Sequence, residues 1–129
     1  MPQTPRRILL IEDDRFLRKA AEVRLRRSGY EVITAADGEE ALATVLTAAP
    51  DLILLDLIMP KLQGFEVLRR LKADESTRSI PVVVLTNLSQ EADRARAMEE
   101  GATGYFVKAD MSLDQMAETV AKALERSVA

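Results

Sequence analysis

The chain has 129 residues, enough for one domain with a sizeable core, and 47% of them are hydrophobic and 30% charged, which argues against disorder. A net charge of −3 argues against a general polyanion binder, and the lack of cysteine excludes disulfides and thiolate metal sites. The lack of histidine excludes a phosphohistidine of its own, the commonest zinc ligand and every Ser-His or Cys-His arrangement.

Residues 1–6 read as a flexible tail without the apolar stretch of a signal peptide. Ile8 to Ile11 is an apolar run bounded by polar residues, the pattern of a strand buried on both faces. Three acids follow, Glu12, Asp13 and Asp14, and Asp14 is placed to cap a helix from Arg15 to Arg27 that ends before Gly29. This helix carries Arg15, Arg18, Lys19, Arg24, Arg26 and Arg27, a charge run that reads first as a solvated face. Tyr30 to Thr34 is more mixed and predicts an edge strand. Asp37 caps a second helix, with Glu40 three residues on.

Leu52 to Leu55 is the next continuous apolar run, and it ends at Asp56. Gly64 breaks the chain before a third helix over Phe65 to Lys72. Val82 to Leu85 predicts a fourth strand that stops at Thr86. The fourth helix follows Ser89 and stops at Gly101; its alanines and charges (Ala92, Ala95, Ala97) leave little apolar area to anchor it. Tyr105 to Val107 is a short second edge strand, with Lys108 at its end. Ser112 and Gln115 form a capping box for a fifth helix, Met111 and Met116 are placed as a staple, and Leu113, Met116, Ala117, Val120 and Leu124 make its apolar stripe.

Strand and helix alternate five times, which predicts a (βα)5 chain with right-handed crossovers and an open sheet of three central and two edge strands. No repeat or interdomain linker interrupts it. The expectation is a single domain over 1–129 without an attached output domain. No apolar run is long enough to span a bilayer, so a cytoplasmic protein without membrane contact is expected.

The chemistry-bearing residues sit where strands stop: Glu12-Asp13-Asp14, Asp56, Thr86 and Lys108. In open α/β sheets, ligands bind outside the carboxyl ends of the strands near the topological switch point. Carboxylates from two strands suit a hard cation such as magnesium. An ionised carboxylate can attack phosphorus and become an aspartyl phosphate, with a cation and a lysine offsetting the charge. Each residue alone has a plainer reading: a helix N-terminal acid cluster, a turn threonine, a solvated lysine. Asp56 is the exception, because a carboxylate ending the run Leu52-Ile53-Leu54-Leu55 is costly to bury unless paired.

Together, Ile8-Leu9-Leu10-Ile11-Glu12-Asp13-Asp14, Leu54-Leu55-Asp56-Leu57-Ile58-Met59-Pro60 with Gly64, Val84-Leu85-Thr86, and Gly101-Ala102-Thr103-Gly104-Tyr105-Phe106-Val107-Lys108 resemble the receiver domains of bacterial two-component response regulators. The resemblance implies a flavodoxin-like doubly wound fold, a parallel sheet of order 2-1-3-4-5 with helices on both faces. It implies that Asp56 is the phosphoacceptor in phosphorelay signal transduction. Mg2+ (or Mn2+) would be held by Asp13, by Glu12 through water, by Asp56 and by the main-chain carbonyl of Ile58. Thr86 resembles the switch hydroxyl, Tyr105 the switch aromatic and Lys108 the phosphate-binding lysine. The implied partners are a sensor histidine kinase or histidine phosphotransfer protein, docked in part by the basic first helix, and a downstream protein target on the face of the fourth helix, fifth strand and fifth helix. Nucleic acid is not expected to be bound directly, and the implied state is a monomer or a phosphorylation-dependent dimer.

The sequence departs from the family pattern in places. Ala109 stands where proline usually follows the lysine; a non-proline cis bond costs ~3 kcal/mol, so the Lys108–Ala109 peptide is expected to be trans. Asn87 replaces a small residue beside the phosphate-binding position. Ile58 and Leu88 are apolar where relatives are often polar, which predicts slow hydrolysis of the phosphorylated state. Thr86 and Tyr105 are expected to be coupled, the ring moving inward as the hydroxyl turns to the phosphate. The alternative on the same fold is a phosphorylation-independent interaction module. A flavin binder is disfavoured by acids where a nucleotide phosphate needs donors and glycines.

Overall fold

The computed structural model describes residues 4–59 and 61–127. Five strands, β1 (Arg7–Ile11), β2 (Glu31–Ala35), β3 (Leu52–Leu55), β4 (Val82–Thr86) and β5 (Gly104–Val107), form one parallel sheet in the order β2-β1-β3-β4-β5. Between and after them run α1 (Arg15–Arg27), α2 (Gly38–Ala48), α3 (Gly64–Ala73), α4 (Glu91–Glu99) and α5 (Leu113–Ser127). Of the expected tail, residues 4–6 precede β1 without regular structure, and residues 1–3 lie outside the described residues, as does Pro60.

The period-2 alternation of the strands divides the core. Leu9, Ile11, Ile53, Leu55, Val82 and Val84 pack on one face with Ala41 and Val45 of α2, Phe65, Val67, Leu68 and Leu71 of α3, and Ala97 of α4. Ile8, Leu10, Leu52, Leu54, Val83 and Leu85 pack on the other with Ala21 and Leu25 of α1 and Met116, Val120 and Leu124 of α5. Both faces of the central strands are covered, which is why their sequences are unbroken apolar runs.

The helix signals work as local chemistry predicts. Asp14 Oδ1 accepts from the N–H groups of Phe16 and Leu17, and Asp37 from Glu40. Ser112 and Gln115 exchange the two bonds of a capping box at the head of α5. β2 starts one residue later than expected because the Tyr30 N–H closes α1 on the Leu25 carbonyl, next to Gly29 at φ 96°. β4 extends to Thr86, which pairs with Val107, and β5 begins at Gly104. No cis peptide occurs among the described residues; after β5 the chain makes a 3-10 turn over Lys108–Asp110, which the sequence did not indicate.

α2 ends on Ala49 in the left-handed region, at φ 46° and ψ 58°, where a Cβ crowds the backbone. Ala49→Gly is expected to stabilise the fold by about 0.5–1 kcal/mol, after its greater unfolded-state entropy is counted. A higher urea midpoint at unchanged slope is the check; a lower one would show that the strain lies elsewhere.

Candidate functional site

The switch point of this strand order lies between β1 and β3, and the acids stand there. Ile11 pairs with Leu55, so the next residues, Glu12 and Asp56, leave neighbouring strand ends side by side. Glu12 is 3% exposed and Asp56 4%, while Asp13 faces solvent. Carboxylate oxygens of all three lie within 4.8 Å of one another. Lys108 reaches over from the end of β5, its Nζ 2.8 Å from Asp56 Oδ2 and 2.5 Å from Glu12 Oε1. The second oxygen of Asp56 accepts from the Ile58 N–H at 3.0 Å, and the second oxygen of Glu12 from the Asp14 N–H at 3.0 Å.

Burial pushes the Glu12 carboxyl up to about 7, although its bonds from Lys108 and the Asp14 N–H pull it down and the Asp56 charge adds to the rise. Burial also lowers the Lys108 ammonium, but its bonds to Asp56 and Glu12 outweigh that, and its pKa stands above the ordinary value. Two carboxylates thus share one ammonium, and a third, Asp13, stands beside them without a bond to it, an acid-rich and partly buried cleft. A hard divalent cation fits this donor set: all ligands are oxygens, two carboxylates are buried at fixed strand ends, and one opens to solvent.

Thr86 is fully buried at the end of β4, and its Oγ1 accepts from the Leu88 N–H at 3.4 Å. The hydroxyl of Tyr105 donates to the Leu88 carbonyl at 2.7 Å. The ring is 2% exposed and lies inside in this structure. Thr86 and Tyr105 thus each bond the main chain of Leu88, one at its N–H and the other at its carbonyl. Asn87 is exposed and donates no hydrogen bond among the described residues. Leu88 packs against the core, whereas Ile58 is 52% exposed. These two line one surface depression with Met59, Gln63, Phe65 and Arg96.

Features of the site's surroundings escaped the sequence reading. Arg18, read as part of a solvated face, donates to the carbonyls of Glu12 and Asp13. In α4, only Ala97 is buried, as its composition suggested, but two arginines add contacts: Arg94 lies 5.3 Å from the Tyr105 ring centre and Arg96 3.9 Å from that of Phe65. Alternate positions in one helix were the available signal, and only the facing rings give them meaning.

The family model of the response regulator receiver domain matches residues 8–121. The chain is 41% identical over 106 residues to the probable transcriptional regulator ycf27 of Guillardia theta, covering 82% of this chain and 41% of that protein. It is 39% identical over 121 residues to the DNA-binding dual master transcriptional regulator RpaA of Synechocystis, covering 94% of this chain and 50% of the relative. The chain therefore spans half or less of the length of these regulators. The Mn2+-bound response regulator Rcp1 superposes with a TM-score of 0.80 at 32% identity, covering 92% of this chain and 93% of that one. Among the described residues, no helix is long and apolar enough to cross a membrane. With the 2-1-3-4-5 sheet and the acid cluster at its switch point already described, the match over residues 8–121 places the chain in the response regulator receiver domain family of two-component signalling.

Proposed function

We propose that Asp56 accepts a phosphoryl group from the phosphohistidine of a sensor kinase or phosphotransfer protein, and that the phosphorylated chain controls a partner protein. The observation that carries this reading is the pairing of a buried carboxylate with Lys108 at 2.8 Å, next to two further acids at the sheet's switch point. An Asp56 oxygen forms the new P–O bond as the P–N bond of the donor breaks, and the imidazole leaves with the electron pair. In this reading Lys108 moves its ammonium from the carboxylate onto the arriving phosphoryl oxygens, and Thr86 donates to one of them. Mg2+, held by Asp13, Asp56, the Ile58 carbonyl and Glu12 through water, would supply charge compensation when bound. The Mn2+ in Rcp1 supports a divalent ion of this class here.

The kinase-facing surface is proposed on α1, where Phe16 is 86% exposed and forms a shallow groove with Val23, Lys19, Arg27 and Leu113. The output face is proposed as α4, β5 and α5, because the Leu88 link ties Thr86 to Tyr105 of β5, and Tyr105 in turn faces Arg94 of α4. A cytoplasmic location, and a monomer or phosphorylation-dependent dimer, belong to the same reading. The test is incubation with Mg2+ and acetyl phosphate, followed by intact mass: one added phosphoryl group is expected, cleaved by hydroxylamine.

The phosphorylated state is expected to be long-lived. Hydrolysis needs a water in line with phosphorus, opposite the Asp56 oxygen. By resemblance to the family, Ile58 and Leu88 take the positions that would orient or admit that water; they line one depression together, and neither side chain can orient a water. Ile58→Asn with Leu88→Glu is expected to speed autodephosphorylation tenfold to hundredfold, or about 1.4–2.7 kcal/mol off the barrier. Decay of purified phosphoprotein in Mg2+ without phosphatase is the measurement, and a wild-type rate equal to the double mutant's removes these residues from the account.

A further inference from the structure

The Asp13 carboxylate is the exposed member of the acid cluster, and among the described residues no donor holds it. Its direction therefore depends on its backbone. The Glu12 N–H bond to the Ala35 carbonyl and the first helical bond onto the Asp14 carbonyl fix the two ends of that stretch, and three side-chain contacts hold it between them. The Asp14 N–H is tied to Glu12 Oε2, and the Asp14 carboxylate is tied to the first turn of α1. The third is Arg18, one turn into α1, whose Nη1 lies 2.9 Å from the Glu12 carbonyl and 3.3 Å from the Asp13 carbonyl. Both carbonyls belong to the turn that carries two of the three acids. A half-buried guanidinium thus clamps the peptides of the acid turn from outside the cluster.

We infer that Arg18 is a positioning residue of the divalent-cation site, holding the Glu12–Asp13 turn so that the Asp13 carboxylate stays within ligand distance of Asp56. This rests on the metal reading above and adds a residue to it. The bulk electrostatic effect of Arg18 has the opposite sign: a cation near the site repels Mg2+. Removing Arg18 therefore tightens binding if charge dominates and loosens it if positioning does. Groups that orient metal ligands from behind are worth about tenfold to hundredfold in affinity, whereas one screened charge at the rim of a wet site is worth less. Positioning should win.

The experiment is a Mn2+ titration of the protein over residues 1–129, with free Mn2+ read from its electron paramagnetic resonance signal. Wild type, Arg18→Met, Arg18→Lys, Asp13→Ala and the Arg18→Met/Asp13→Ala double variant are compared. The expected result is a tenfold or greater loss of affinity in Arg18→Met, partial recovery in Arg18→Lys, and little further loss when Arg18→Met is added to Asp13→Ala. Arg18→Lys keeps the charge and the aliphatic stem, so it serves if the methionine variant folds poorly. Unchanged or tighter binding in Arg18→Met overturns the assignment, as does an equal loss in the Asp13→Ala background. A wild-type protein that binds no Mn2+ overturns the metal reading and the assignment with it, whereas wild-type binding with an indifferent Arg18 overturns the assignment alone.

Discussion

Asp56→Asn is expected to abolish phosphoryl incorporation while leaving the fold in place. The amide keeps the shape of the side chain and one oxygen, so the Ile58 N–H still has an acceptor and the 4% exposed position stays filled. The nucleophile is lost, because an amide oxygen carries no full charge and its adduct with phosphorus is unstable in water. One negative charge also leaves the cluster, and Lys108 still bonds Glu12, so no buried charge is orphaned. The loss is therefore chemical rather than structural. Intact mass after acetyl phosphate and Mg2+ is the readout, with circular dichroism as the control for folding. Peptide mapping would find any phosphoryl group diverted to the neighbouring Asp13. Labelling of Asp56→Asn at the wild-type level and stoichiometry would sink the assignment of Asp56.

The other large effect is expected at Gly64, where a substitution meets the site from behind. A Cβ added there would lie 2.4 Å from the Asp56 carbonyl oxygen and 2.4 Å from Leu57 Cα, both backbone atoms that cannot rotate away. The Gly64 N–H also donates to the Leu57 carbonyl at 3.1 Å, so the first turn of α3 is pressed directly on the chain leaving β3. α3 cannot retreat easily, since Phe65, Val67, Leu68 and Leu71 anchor it in the core. Gly64→Ala is expected to destabilise the protein by about 3 kcal/mol, the upper part of the range for overpacking. That outweighs the ~1 kcal/mol by which alanine favours a helix. It is also expected to slow phosphorylation, because the displaced atoms include the carbonyl group of Asp56 itself. Urea unfolding measures the first effect and labelling rate the second. Gly29 is the contrast: a Cβ there meets nothing within 4 Å, and only its φ of 96° opposes substitution, so Gly29→Ala should cost less and leave labelling unchanged. A Gly64→Ala protein as stable as wild type would mean that the β3–α3 connection yields more freely than its packing implies.

Much of this molecule follows from local pattern. Unbroken apolar runs of four residues mark β1, β3 and β4 because a strand covered on both faces has no polar side to display. Asp14, Asp37 and the Ser112–Gln115 pair mark helix starts because each satisfies backbone donors two or three residues away, within reach of the sequence itself. The convergence of Glu12, Asp13, Asp56, Thr86 and Lys108 on one edge was also legible, since parallel strands all end on the same side. What only the tertiary structure decided are side-chain contacts whose spacing follows no helix or strand period, near or far along the chain. Lys108 bonds Glu12 as well as Asp56, Leu88 joins Thr86 to Tyr105 through its peptide, and Arg96 covers Phe65 from 31 positions away. Arg18 could be read as solvated until the turn it clamps was placed above it. A periodic pattern specifies which face of an element is buried, but the distance from one element's side chain to another's backbone is set by how the whole sheet and its two helical layers pack.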